Sequence, residues 1–228
     1  EFEYIVIDGG STDGSAEYIK SQGNNIDYWV SEPDSGIYNA MNKGIKKTKG
    51  DYCLFLNSGD YFLNNDILLT INKEIKDDDI IYGNGRREID SNKTVLVEIP
   101  EKLNLNYFSN NSLFHPATFI KRSLFDTYGL YNESNKIVSD WEFFIKTIFI
   151  NNVVSRKIPF EIAVVEDGGI SRSAEGSDTI KKEIENVLNS YFPPCVLSLI
   201  DENKKLKSLI RTKNSTLLSR GLNIFKTK

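Results

Sequence analysis

An α/β fold with a mostly parallel central sheet, flanked by helices and followed by a C-terminal helical appendage, is the class this sequence predicts. Three observations carry that reading. Apolar runs alternate with helical periodicities through the first half, in the order strand, helix, strand, helix, strand, which calls for right-handed crossovers between parallel strands. Each of the three apolar runs ends abruptly in a cluster of small polar and acidic residues. The chain has 228 residues, 39% of them hydrophobic, enough for a sizeable core that removes roughly 70% of the unfolded surface from water.

The elements follow in order. Phe2 to Ile7 is a continuous apolar strand that stops at Asp8-Gly9-Gly10-Ser11-Thr12-Asp13-Gly14, and Ala16, Tyr18 and Ile19 open a helix. Ile26 to Val30 forms a second strand. Glu32-Pro33-Asp34-Ser35-Gly36 is a turn, after which Ile37, Ala40, Met41 and Ile45 keep a helical period, with Gly50 as a stop. Asp51 to Leu56 is a third buried strand running into Asn57-Ser58-Gly59-Asp60, and Ile67, Leu68, Ile71 and Ile75 mark the next helix. The second half is less regular: strand-like pieces at Ile80 to Tyr82, Thr94 to Ile99, Val153 to Ile158 and Ile162 to Val165, a helix from Asp140 to about Ile150, and helices from about Thr179 onward. A parallel sheet gathers ligands outside the carboxyl ends of its strands, so the polar clusters at 8–14, 31–36 and 57–60 converge on one edge. That convergence is the reason to expect a binding site there.

Composition narrows the function classes. Cys53 and Cys195 lack C-x-x-C spacing, sit among apolar neighbours and read as buried hydrophobes in a reducing compartment, which argues against a zinc site. No run of eighteen apolar residues exists, and Glu1 to Ile7 has the wrong polarity for a signal peptide, so a cytoplasmic location is expected. Because the chain opens inside a strand without an initiator Met, a preceding segment is expected. The net charge of −4 hides an asymmetry: past Asn203 there is no acid, while Lys204, Lys205, Lys207, Arg211, Lys213, Arg220, Lys226 and Lys228 interleave with leucines at roughly helical spacing. Such a helix either lies on an anionic membrane surface or packs on the body through its leucines. Nucleic acid is the weaker partner, since an acidic body repels phosphates.

Four constellations carry candidate chemistry. Asp8, at a strand's carboxyl end, suits a donor edge such as a uracil N3–H or a ribose hydroxyl, whereas Asp13 serves equally as a helix N-cap. Asp60 is the natural ligand for a hard divalent cation in the Asn57-Ser58-Gly59-Asp60 turn, although a plain β-turn also accounts for it. Ser139-Asp140-Trp141-Glu142 has capping-box spacing, which puts Asp140 in the first helical turn; aimed into a cleft, Asp140 becomes a general base. His115, the only histidine, lies in an apolar segment, where a structural role is the commoner one. One histidine and no Gly-x-Ser-x-Gly argue against an α/β-hydrolase triad.

Three blocks in order, Ile5 to Ser15, Ser31 to Gly44, and Gly50-Asp51 with Phe55-Leu56-Asn57-Ser58-Gly59-Asp60, strongly resemble the family 2 glycosyltransferases, in particular bacterial enzymes of O-antigen, capsule or colanic-acid-type polysaccharide synthesis. His115 to Phe119, Gly129 and Ser139-Asp140-Trp141 extend the likeness to about residue 172. The resemblance implies a GT-A domain, taken as residues 1–177; the basic helices over 178–228 lie outside the likeness and are read from their own pattern as an extension. It implies inverting transfer from a nucleotide-sugar donor, a UDP-sugar foremost, to a lipid-linked or saccharide acceptor. By it, Asp8 and Gly10 contact the base or ribose, Asp34, Gly36 and Asn42 line the ribose and sugar, and Asn57 and Ser58 adjoin the donor. Asp60 holds Mg²⁺ or Mn²⁺, Asp140 is the catalytic base, and His115 and Arg172 stand near the acceptor or diphosphate. The family usually carries acids where this chain has Asn57 and Gly59, so Asp60 alone is left from that motif. A sugar-1-phosphate nucleotidyltransferase is a rival, but the 8–14 turn has no basic residue for a phosphate loop. A dinucleotide dehydrogenase lacks its G-x-G-x-x-G, and a non-catalytic nucleotide-sugar-binding module is the remaining alternative.

Overall fold

The computed structural model describes residues 1–90, 93–166 and 174–224, with the side chains of the last stretch described from Gly176 to Ile210. Arg172 lies outside the described residues, as do the side chains beyond Ile210 on which the membrane-surface expectation partly rests.

The first strand, β1 (Ile5–Asp8), pairs in parallel with β2 (Tyr28–Ser31), joined by helix α1 (Ser15–Ser21), as the alternation predicts. Helix α2 (Ile37–Ile45) turns Tyr38, Met41, Asn42 and Ile45 inward, a buried stripe at helical spacing, and its C-terminal half packs on β1. These elements form a two-stranded sheet of their own. Glu3 ties it to the rest by accepting from the Lys49 and Gly50 amides at 2.5 and 2.7 Å.

The larger sheet is mixed rather than mostly parallel. Its strands are β3 (Tyr52–Cys53), β4 (Tyr61–Phe62), β5 (Ile80–Asp90), β6 (Lys93–Val97), β7 (Thr118–Lys121) and β8 (Ser155–Val165), in the order β3-β7-β5-β8-β4 with β6 also on β5. Only β5 and β8 run parallel; the other pairs are antiparallel. The third strand is shorter than its apolar run, Tyr52–Cys53 instead of 51–56. Conversely, the two pieces expected at 153–158 and 162–165 are one strand, β8. Pro159 interrupts the pattern, and the structure absorbs it where the β5/β8 register shifts between Tyr82 and Asn84. Gly83 sits at that irregularity because a Cβ there would come within 2.6 Å of the Phe160 carbonyl oxygen.

Two apolar layers cover this sheet. Helix α3 (Ile67–Glu74) buries Ile67 and Ile71 against Ile81, Phe119, Ile158 and Ile162. The larger layer combines α2 with α4 (Leu105–Phe108), α5 (Ser123–Tyr128) and α6 (Ser139–Phe144), the last continuing as a π-helical segment over Ile145–Ile150. Of the two thiols, Cys53 is buried as expected, but Cys195 is exposed: it stands on helix α8 (Pro194–Ile224), past the Pro193-Pro194 break. Helix α7 (Ala174–Tyr191) spans the expected boundary at 177/178, and its Ile180, Ile184, Val187 and Leu188 join the main core.

Candidate active site

The loop after β1 is braced by the carboxylate that begins it. Asp8 is only 9% exposed, and its Oδ2 accepts from the Gly10 and Ser11 amides at 3.2 and 3.0 Å and from Ser31 Oγ at 2.6 Å, while Oδ1 accepts from Ser11 Oγ at 2.5 Å. Those donors, the Ser11 and Ser31 hydroxyls foremost, hold the carboxyl down at about 2. Gly10 has φ 87°. Asp13 does not cap α1; it accepts from the Ser15 amide at 3.1 Å, with Gly14 at the cap.

The second loop meets the first edge to edge. The Glu32 amide donates to the Asp8 carbonyl at 3.1 Å, and a Cβ on Gly9 would stand 2.6 Å from Asp34 Oδ2, so the two loops touch here and a larger residue at position 9 would displace the Asp34 carboxylate. Asp34 Oδ1 accepts from the Gly36 amide at 2.9 Å. Gly36, at φ 128°, makes the turn into α2 in a region closed to other residues.

From Gly36 the chain leads directly to the acid at the start of α6. The Tyr38 hydroxyl, in the first turn of α2, lies 2.6 Å from Asp140 Oδ1 and 2.6 Å from the Ile137 carbonyl oxygen. Burial first, and the Asp140 charge second, push this phenol far above its ordinary range, so it stays protonated. The expected capping box is absent: Val138, not Ser139, is the cap residue, and the buried Ser139 hydroxyl has no partner. Glu142 instead accepts from Asn132, Asn135 and Tyr191. Trp141 anchors the helix through Nε1 to the Phe108 carbonyl at 3.0 Å.

Asn42, read from sequence as lining the donor, has its buried side chain committed elsewhere. Its Nδ2 donates to the Tyr131 carbonyl at 2.9 Å and to Glu133 at 2.8 Å, and its Oδ1 accepts from the Tyr131 amide at 3.0 Å. It clamps the 131–133 segment. His115 is buried too: Nε2 is 2.9 Å from the Tyr131 hydroxyl, and Phe55 stacks on the ring at 5.0 Å. Desolvation lowers its pKa, against the opposing pull of Asp140. Phe55 also meets Tyr131 edge-on, and Tyr131 packs against Tyr38. This aromatic hub links the segment leading into Asn57 with the helix that touches Asp140.

The third loop is a β-turn. The Asp60 amide donates to the Asn57 carbonyl and Asp60 Oδ2 accepts from the Asn57 amide, both at 3.0 Å, with Gly59 at φ 89°. Ser58 lies exposed at its tip. Burial, partly offset by the Asn57 amide, raises the Asp60 pKa, and the Glu166 charge adds to the rise. Glu166 was not singled out from the sequence, yet a Cβ on Gly59 would stand 2.5 Å from its Oε2. The signal was available: it follows the apolar run of β8 just as Asp8 ends β1. Among the described residues, no three carboxylate, histidine or cysteine side chains converge on one point. The open groove lined by Tyr61, Leu63, Arg86, Phe160 and Glu161 contains none of the expected site residues.

Comparison with known proteins bears on the family and the fold. Residues 1–129 match the family model described as glycosyl transferase family 2. A PGL/p-HBAD biosynthesis glycosyltransferase of Mycobacterium tuberculosis is 27% identical over 190 residues, covering 80% of this chain and 72% of the relative. An uncharacterized glycosyltransferase of the same species is 32% identical over 151 residues, 65% of this chain and 58% of that one. Among solved structures, residues 1–349 of S. aureus TarS in complex with UDP-GlcNAc superpose with a TM-score of 0.63 at 18% identity, over 88% of this chain and 61% of that chain. A mannosyltransferase from Pyrobaculum calidifontis, in complex with GDP-Man and Mn²⁺, gives a TM-score of 0.51 at 15% identity, over 71% of this chain and 47% of its own. With a family model matched over more than half its length and solved glycosyltransferases superposing on most of it, this chain belongs to glycosyl transferase family 2 and carries the GT-A fold.

Proposed function

We propose that this glycosyltransferase moves a sugar, with inversion, from a nucleotide-diphosphate donor to an acceptor hydroxyl, that the donor is a UDP-sugar, and that Asp140 is the base. The reading rests on one observation above others: the loops at 8–14 and 31–36 touch, and the helix that follows them delivers Tyr38 to Asp140. Asp140 takes the acceptor's proton on a carboxylate oxygen as the new bond forms to the anomeric carbon.

Tyr38 has a single hydroxyl hydrogen for two oxygens at 2.6 Å. With Asp140 ionised, that hydrogen goes to the carboxylate. Once the acceptor's proton is on the other carboxyl oxygen, Oδ1 is a carbonyl oxygen that still accepts from Tyr38, with the Ile137 carbonyl as the second acceptor in reach. Both forms of the base are therefore hydrogen-bonded without moving a heavy atom.

Asp60, with Glu166 beside it, suits a hard cation that takes its other ligands from diphosphate oxygens and water. Bound there, Mg²⁺ or Mn²⁺ supplies neutralisation of the leaving diphosphate. The acceptor is a lipid-linked or saccharide hydroxyl of a bacterial surface glycan, met at the inner face of the cytoplasmic membrane, to which the basic C-terminal stretch is drawn. None of the described helices is long and apolar enough to cross a membrane.

A thermal-shift panel of UDP-, GDP- and dTDP-sugars with Mn²⁺ identifies the donor, because selective binding raises the melting temperature. With that donor, Asp140→Asn is expected to bind normally and to lose about 10²- to 10⁴-fold in turnover. Wild-type turnover in Asp140→Asn removes Asp140 from the mechanism, and full activity in EDTA removes the cation.

A further inference from the structure

The segment that leads into α6 is held by a residue from the far end of the chain. Glu183, on α7 and only 8% exposed, accepts from three consecutive backbone amides: Lys136 to Oε1 at 2.7 Å, and Ile137 and Val138 to Oε2 at 3.0 and 3.2 Å. Three amides aimed at one carboxylate make a filled anion cradle, and a buried charge is tolerated only when it is hydrogen-bonded in this way.

The contacts converge on one peptide group. The Val138 amide and the Ile137 carbonyl belong to the same planar unit; its N–H is bound by Glu183, and its C=O is the oxygen that Tyr38 touches. That unit is clamped from both sides, two residues before Asp140. The side chains of α7 fix Glu183 in turn, since Val187 and Leu188 are buried in the main core.

We propose that Glu183 is a positioning residue for the transfer reaction: the α7 helix sets the geometry of Asp140 by anchoring the 136–138 backbone. This rests on Asp140 being the base. The extension then completes the active site as well as adding a surface.

The test uses the full chain with the donor chosen by thermal shift, and nucleotide release to water as the probe reaction, so that no acceptor need be known. Glu183→Gln keeps shape but turns an NH₂ toward the amide donors. It is expected to lower kcat by about 10- to 100-fold, the scale set by small misplacements of reacting groups, with donor Kd within twofold of wild type. Hydrogen exchange across residues 136–140 should quicken in the same variant. A purely structural contact would shift melting temperature and leave kcat alone below the transition. Should Glu183→Gln fail to fold, Glu183→Asp, which keeps the charge and retracts it by one methylene, is read instead for the same split. Wild-type kcat in the folded variant, alongside an inactive Asp140→Asn, overturns the positioning role. Wild-type turnover in Asp140→Asn overturns the base assignment and this inference with it.

Discussion

Replacing Asn42 by alanine separates two roles that sequence cannot tell apart. If Asn42 lined the donor, the variant would fold normally and bind nucleotide-sugar weakly. The structure instead commits its amide to the Tyr131 carbonyl, the Tyr131 N–H and Glu133. Truncation strands a buried N–H and a buried C=O, each costing roughly 1–3 kcal/mol, so a total near 3 kcal/mol is expected. For a chain of this size, each kcal/mol shifts Tm by roughly 2–4 °C, giving a fall of about 6–12 °C. Asn42→Asp should be worse, because it points a second carboxylate at Glu133. Urea unfolding and calorimetry measure the loss, and donor affinity at a temperature where the variant is folded should stay within twofold. A tenfold weaker donor with unchanged stability would refute the clamp.

Tyr38→Phe removes the hydroxyl from Asp140 and Ile137 while leaving the ring in place. A hydrogen bond to a charged group contributes about 1.5–3 kcal/mol, so kcat should drop by about tenfold or more with donor Kd unchanged; steady-state kinetics with an unaltered kcat would sink the proton-accommodating role. The Asp8 carboxyl is lowered in the folded state, from 3.8 to about 2, so its contribution is whole above about pH 4 and fades as pH falls toward 2. The stability difference between wild type and Asp8→Asn, followed by chemical denaturation, should accordingly shrink across that window; a difference independent of pH would contradict the bracing network.

Much of the first 75 residues was legible because strand and helix periods there are local signals. The apolar run of β1 and the helical period of α2 need no distant partner to be read, although the face read as Ile37, Ala40, Met41 and Ile45 is rotated from the buried one, which takes in Tyr38 and Asn42 and leaves Ile37 exposed. The larger sheet was not legible in the same way. Its antiparallel pairings join residues far apart, such as Cys53 with Ile120, and periodicity carries no information about direction. Pro159 split one long strand into two apparent ones, because a register shift that accommodates proline leaves no local mark. The capping box failed through competition: Glu142 has partners on the 132–135 segment and on Tyr191 that only the tertiary fold supplies. Asn42 shows the same limit, since a polar residue on an inward helix face reads alike whether it meets ligand or backbone. Glu183 gave no reason for notice beyond its charge, since its partners lie 45 or more positions away, whereas Glu166 had the one local signal of its place after an apolar strand.

Helix α2 begins at the loops expected to grip the nucleotide and touches Asp140 within its first turn, while its far end leans on β1. Gly36 and Tyr38 therefore share one end of a nine-residue helix whose other end is anchored, so a displacement of the 31–36 turn is also a displacement of the hydroxyl bonded to Asp140.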